Sequence, residues 1–137
     1  MIEWAMVYSV NHPEIDEQHK VLIGMLNEMD AIITKEEFNY TNLIHTMECL
    51  EEYVKTHFSF EENLMLWQSY PDIMVHTKAH NIFRDKLQNT YVLDIEKPIN
   101  FYNEMSQYLT DWLMNHIMNM DRHLGNYLKE KDSEDGR

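Results

Sequence analysis

A chain of 137 residues with one cysteine, three glycines and three prolines has little with which to staple or interrupt its backbone. Cys49 alone can form no internal disulfide, which fits a reducing compartment and predicts a cytoplasmic protein. The shortage of Gly and Pro leaves regular structure unbroken and favours long helices. Positive charge is scarce as well: 11 Lys and Arg stand against 24 Asp and Glu, for a net charge of −13. A surface of that sign repels nucleic-acid phosphates and anionic lipid headgroups, and it favours a monomer. No apolar run approaches the roughly 20 residues that a membrane-spanning helix needs. The opening Met1-Ile2-Glu3-Trp4 has neither the basic nor the apolar region of a secretory signal. The exclusions leave an acidic protein with no nucleic-acid partner and no membrane insertion. Its hydrophobic content of 44% is enough for the core of one domain over residues 1–137.

Apolar spacing divides that domain into four helical stretches without an internal repeat. Residues 1–13 read as an arm ending at Pro13, with Trp4, Val7 and Tyr8 free to dock. The first stripe carries Ile15, His19, Leu22, Leu26, Met29 and Ile33. Asn39-Tyr40-Thr41-Asn42 marks a break and a cap. The second stripe, Leu43, Met47, Leu50, Val54, His57, Glu61 and Leu64, alternates steps of four and three. Tyr70-Pro71-Asp72 stops that helix and offers Asp72 as the next N-cap. The third stripe holds Ile73, His76, His80, Phe83 and Leu87, and Asp94 to Pro98 forms the third connection. The fourth helix runs from about Phe101 towards Leu128, with Met105, Leu109, Trp112, His116, Met120 and Leu124 inward. Residues 129–137 form a charged tail expected to fray. Short connections between four such stripes predict an all-α, antiparallel up-down-up-down four-helix bundle.

The plentiful residue is histidine, with eight in this small acidic chain. Each predicted helix carries a polar side chain where its apolar seam should continue: His19, His57 with Glu61, His76 with His80, and His116 with Asp121 nearby. Burying such groups unpaired costs several kcal/mol each. Residues four apart on a helix differ by only about 40° in direction, so His57/Glu61 and His76/His80 can each aim at one point. His116 and Asp121, five apart, diverge by about 140°, so a shared target has to lie between their reaches or the helix has to bend there. A lone His on an apolar face is more often a hydrogen-bonded core residue than a ligand. What carries the argument is convergence of five His and two carboxylates from four helices.

Imidazole with carboxylate suits iron, zinc, copper or nickel rather than calcium or magnesium. One zinc takes four ligands, fewer than this set offers. Two six-coordinate ions offer about twelve positions. If Glu61 and Asp121 each bridge both ions and a solvent oxygen bridges them too, one position stays open. The residues alone therefore predict a dinuclear centre with a vacancy for a small ligand, and they leave the metal unnamed.

In order and spacing, Asp16-Glu17-Gln18-His19, His57-Phe58-Ser59-Phe60-Glu61-Glu62, Tyr70-Pro71-Asp72, His76-Thr77-Lys78-Ala79-His80, Asp111-Trp112-Leu113-Met114-Asn115-His116-Ile117 and Asp121 resemble the hemerythrin family, in its bacterial single-domain form. The resemblance runs from Trp4 to Tyr127. It implies two non-haem iron ions with a bridging oxo or hydroxo group, and O₂ as their ligand. By the same resemblance His76, His80 and His116 hold one iron, His19 and His57 hold the other, and Glu61 and Asp121 bridge them. Leu113 and Ile117 match the apolar wall of an O₂ pocket, with Trp112 beside them. The implied function is reversible O₂ binding for carriage, storage or delivery to an oxygen-consuming enzyme, and no catalysis. NO and small anions are further ligands of such a centre. Alternatives are an O₂, NO or redox sensor, or a di-iron oxidase or iron-storage protein. Family sensors usually carry the bundle within a longer chain. Ferritin-like oxidases use Glu-x-x-His on two helices, a motif absent here.

The remaining candidates are plainer. His12, His45 and His123 match no ligand position and read as surface residues, with His123 near the tail. Cys49 reads as a small buried filler. Glu62 is read as pointing away from the ligands. Gly125, inside the last helix, suggests a close approach to the N-terminal arm.

Overall fold

The computed structural model describes residues 1–35, 38–91 and 98–134. Helix α1 spans Pro13–Thr34, α2 Tyr40–Trp67, α3 Ile73–Tyr91 and α4 Ile99–His116. A π-helical turn, Ile117–Asp121, leads into α5, Arg122–Glu134. Ile117 and Arg122 keep right-handed helical dihedrals at the two junctions, so α4, the π turn and α5 make the fourth rod of the bundle. Helices α1 and α3 each pack against α2 and α4, which closes the predicted ring of four. Most of the expected Asp94–Pro98 connection lies outside the described residues; Pro98 stands at the N-cap of α4. The last helix continues to Glu134, beyond Lys129 where the charge run suggested fraying.

The caps explain where the helices start. Pro13 occupies the first turn of α1, where its missing N–H costs nothing. Nδ1 of His12 accepts from the Ile15 backbone N–H at 3.3 Å. His12 is thus a hydrogen-bonded residue that caps α1. Asn39 caps α2 through its side-chain oxygen, 3.0 Å from the Asn42 N–H. At the far end of α2 the Ser69 N–H donates to Leu66 and the Tyr70 N–H to Met65, the two bonds of a Schellman motif. That motif puts Ser69 at φ 53°, the left-handed region that glycine usually fills. At α3 the Asp72 carbonyl accepts the first helical bond, from the His76 N–H at 3.0 Å.

The stripes read from the sequence are the core. Ile15, Leu22, Leu26, Met29, Leu43, Met47, Leu50, Phe83, Leu87, Leu109 and Leu124 are all buried. Each such side chain contributes about 1.5–3 kcal/mol over leaving it in water, and Leu50→Ala would cost about 2–5 kcal/mol. Several positions depart from expectation, and Ile73 and Trp112, read as inward, are half-buried. Leu64 is half-buried while Met65, one full step of four beyond Glu61, is buried. Met120 is half-buried because the π turn shifts the seam to Asp121. Cys49 is exposed, so it fills no core space; its Sγ lies 3.9 Å from His45 on the same surface. Val7 is exposed, and Val10 is the buried anchor of the arm instead.

Val10 reaches its place because Gly125 has no side chain. A Cβ there would lie 1.7 Å from the Val10 carbonyl oxygen. The Asp16 carboxylate holds the same stretch, accepting from Ser9 Oγ at 2.6 Å and the Val10 N–H at 2.9 Å. Arg122 donates to the Val7 carbonyl. The arm therefore ties the start of α1 to the segment that follows the π turn.

Candidate metal centre

Seven polar side chains, from all four rods, are buried together: His19, His57, Glu61, His76, His80, His116 and Asp121. His57 and Glu61 come from one face of α2, and His76 and His80 from one face of α3, as steps of four require. His116 and Asp121 meet because the backbone between them is a π turn. Its i→i+5 bonding brings residues five apart onto one face, so His116 Nε2 sits 3.1 Å from Asp121 Oδ1. The bend anticipated between these two residues takes this form.

The seven fall into two groups. Nε2 of His76 lies 3.1 Å from His116 Nε2, 3.0 Å from Asp121 Oδ1 and 3.4 Å from Glu61 Oε1. His80 Nε2 is 3.1 Å from both His116 Nε2 and Glu61 Oε1. On the other side, His57 Nε2 is 3.1 Å from Glu61 Oε2, and His19 Nε2 is 3.0 Å from Asp121 Oδ2 and 3.5 Å from Glu61 Oε2. Each carboxylate thus turns one oxygen to the three-imidazole group and its other oxygen to the two-imidazole group.

This arrangement fits a pair of cations better than it fits itself. Both His19 nitrogens, His57 Nε2, both Glu61 oxygens and Asp121 Oδ2 are buried with no hydrogen-bond partner. The atoms are close, but they aim at shared points between them rather than at one another. Adjacent donors each about 2.1 Å from a six-coordinate ion lie about 3.0 Å apart, close to the spacing seen. The charge points the same way. Burial acts against the charged forms of Glu61 and Asp121, yet the surrounding imidazoles hold both carboxyls well below their usual range. Burial likewise pushes the His19 and His76 imidazoles down, but Asp121 and Glu61 outweigh it and hold both up at about 9. Two buried anions draw positive charge into the cluster, as protons or as metal ions.

Two imidazoles are fixed from behind. His57 Nδ1 donates to Gln18 Oε1 at 2.6 Å. His80 Nδ1 donates to Glu62 Oε2 at 2.8 Å, and Arg84 grips that carboxylate at 2.9 and 3.0 Å. Against its half-burial, His80 and Arg84 keep the Glu62 carboxyl below its usual range. Glu62 therefore faces the cluster's back, a correction to its reading as a side chain pointing elsewhere. Gln18 and Glu62 each adjoin a ligand candidate on one helix and serve a ligand on the next, a relation that spacing within one helix does not report.

Aromatic rings wall one side. Phe58 lies flat on His80, with centroids 3.8 Å apart and planes 3° apart, and Trp112 lies on His116 at 4.7 Å and 13°. Leu113 and Ile117, flanking His116, are buried, and Trp112 is half-buried. His45 is exposed, and His123 pairs with Asp72 at 3.3 Å rather than with the tail. Among the described residues no helix is long and apolar enough to cross a membrane.

Comparison with known proteins agrees with the fold. A bacteriohemerythrin of Pseudomonas aeruginosa is 32% identical over 130 residues, which span 89% of this chain and 82% of that protein. A myohemerythrin of Theromyzon tessulatum is 27% identical over 119 residues, 87% of each chain. A crystal structure of wild-type hemerythrin shares the fold, with a TM-score of 0.74 over 93% of this chain and 98% of that one at 24% identity. Residues 11–128 match the family model described as the hemerythrin HHE cation binding domain, and the chain belongs to that family.

Proposed function

We propose that this chain binds O₂ reversibly at two non-haem iron ions, as a carrier, store or donor of oxygen. His76, His80 and His116 would hold one ion, His19 and His57 the other, and Glu61 and Asp121 would span both. The observation that carries the reading is the division of each carboxylate's two oxygens between the two imidazole groups. The pair of ions supplies the electrons that O₂ borrows while bound and returns on release.

The protein's own part is to hold, to leave room and to keep dry. The three-imidazole group offers five donor atoms and the two-imidazole group four. A bridging oxygen from solvent would complete the first set and leave the second one short, so the ligand position would fall on the His19/His57 side. Leu113 and Ile117, buried on either side of His116 in the chain, would supply the apolar surroundings of the ligand, and Trp112 covers His116. Dry walls limit the protons and anions that would displace a reduced oxygen ligand and leave both irons ferric. The donor set is rich in neutral imidazole and poor in carboxylate. Fewer anionic donors make highly oxidised iron harder to reach, which favours reversible binding over oxidation of a substrate.

The test is direct. Iron per chain is measured, and visible spectra of the reduced protein are recorded before air, in air and after degassing. Two irons per chain and a colour that comes and goes with O₂ are expected. One ion per chain, or a colour change that degassing does not reverse, would overturn the reading.

A further inference from the structure

The two imidazoles that are fixed from behind are not fixed alike. His57 donates to a neutral amide, Gln18. His80 donates to a carboxylate, and that carboxylate is itself held by both arms of a guanidinium. A carboxylate oxygen can only accept here, so His80 must carry its proton on Nδ1. That leaves Nε2, 3.1 Å from both Glu61 Oε1 and His116 Nε2, free to donate its lone pair to a cation between them. Phe58 stacked flat on the ring restricts its rotation, and the Arg84 guanidinium lies 5.2 Å from the centroid of that same Phe58 ring. Glu62, Arg84 and Phe58 together leave His80 one orientation. A negative acceptor behind an imidazole also raises its basicity toward a cation in front, more than an amide does.

Building on the metal centre proposed above, we propose that Glu62, gripped by Arg84, is a positioning residue that fixes His80 as an Nε2 donor and strengthens cation binding by the three-imidazole group specifically. The Glu62–Arg84 pair would then set the inequality between the two halves of the centre. It acts through His80 and touches neither ion.

Metal-free full-length protein is titrated with Co²⁺ alone, and the two binding steps are compared for the parent, Glu62→Gln and Glu62→Asp. Glu62→Gln is expected to weaken one of the two steps by about 10- to 100-fold and to leave the other within error. Glu62→Asp, which keeps the charge, recovers part of the loss. In the Zn²⁺-loaded, ¹⁵N-histidine-labelled protein, Glu62→Gln shifts the His80 Nδ1–H resonance and leaves that of His57 in place. If both steps weaken alike, or if only the melting temperature falls, Glu62 merely ties α2 to α3 and the inference is wrong. If Glu62→Gln does not fold, Arg84→Lys serves instead, with a several-fold weakening of the same single step expected and no change sinking the idea. A parent that takes up two Co²⁺ beside an unaffected variant sinks this inference alone. A parent that takes up none sinks the proposed metal centre with it.

Discussion

Oε1 of Glu61 and Oδ1 of Asp121 between them reach His76, His80 and His116, while Oε2 of Glu61 and Oδ2 of Asp121 reach His19 and His57. The difference extends outward. On the three-imidazole side His80 and His116 lie under aromatic rings and His80 is braced by a charged pair. On the two-imidazole side His19 and His57 meet edge-on at 4.8 Å, and the brace behind His57 is a neutral amide. One half is built to be full and rigid. The other, in the proposed centre, would stop a ligand short. A centre that must hold metal permanently and a gas only temporarily can divide those tasks between two ions, and the asymmetry of the residues supports that division.

The comparison breaks most completely at what the halves share. Glu61→Ala removes a donor from both sides and half of the negative charge that draws cations in. Iron per chain after reconstitution is expected to fall from two towards none, read by metal analysis on folded protein. Retention of one full equivalent would mean that Glu61 serves only one ion. His57→Ala cuts the two-imidazole side alone. Iron is expected to fall from two towards one, and the oxygenated spectrum to be lost. An unchanged spectrum would move the ligand position to the other half.

How much of this division was legible in the sequence depends on how locally each residue is set. His57/Glu61 and His76/His80 lie four apart on uninterrupted helices, so periodicity alone aimed them inward. The asymmetry of five imidazoles, three against two, followed from counting. His116 and Asp121 resisted, because regular helical spacing turns residues five apart away from each other. The π turn that restores them shifts the seam by one residue, which is why Met120 was read as inward and is half-buried. Gln18, Glu62 and Arg84 were not legible as supports, since each acts on a side chain of a neighbouring helix and no spacing within one helix reports that. Val10 was missed and Gly125 noticed for a related reason: a glycine in a helix signals a close approach without naming what approaches.

A third test uses the charge rather than the ligands. Without metal, His19 and His76 are held up at about 9 against an ordinary 6.5. A raised imidazole stabilises the fold fully below pH 6.5 and loses that contribution as pH rises through about 9. Glu61 and Asp121, held low, act oppositely and lose their contribution as pH falls below the usual carboxylate range. The metal-free protein is therefore expected to be most stable from about pH 4.5 to 6.5 and to lose a few kcal/mol by pH 9, seen as a falling melting temperature. Metal displaces those protons, so the loaded protein melts higher throughout and shows no such decline. Parallel pH profiles for the two forms would show that the carboxylates are not what raises the imidazoles.

The smallest effect is expected on the ligand rather than on either ion. Leu113 is almost completely buried beside His116, and it shares no hydrogen-bonding duty with the donors. Leu113→Asn keeps a similar volume and places an amide that attracts water where the wall was apolar. Iron content should stay at two per chain, because no donor is touched. The oxygenated form should decay to the ferric state several-fold faster, since water carries in protons that help a reduced oxygen ligand leave. The decay is followed at a fixed temperature and pH by the loss of the oxygenated spectrum. Equal lifetimes in variant and parent would mean that Leu113 is packing alone, and that dryness around the two-imidazole half is set elsewhere.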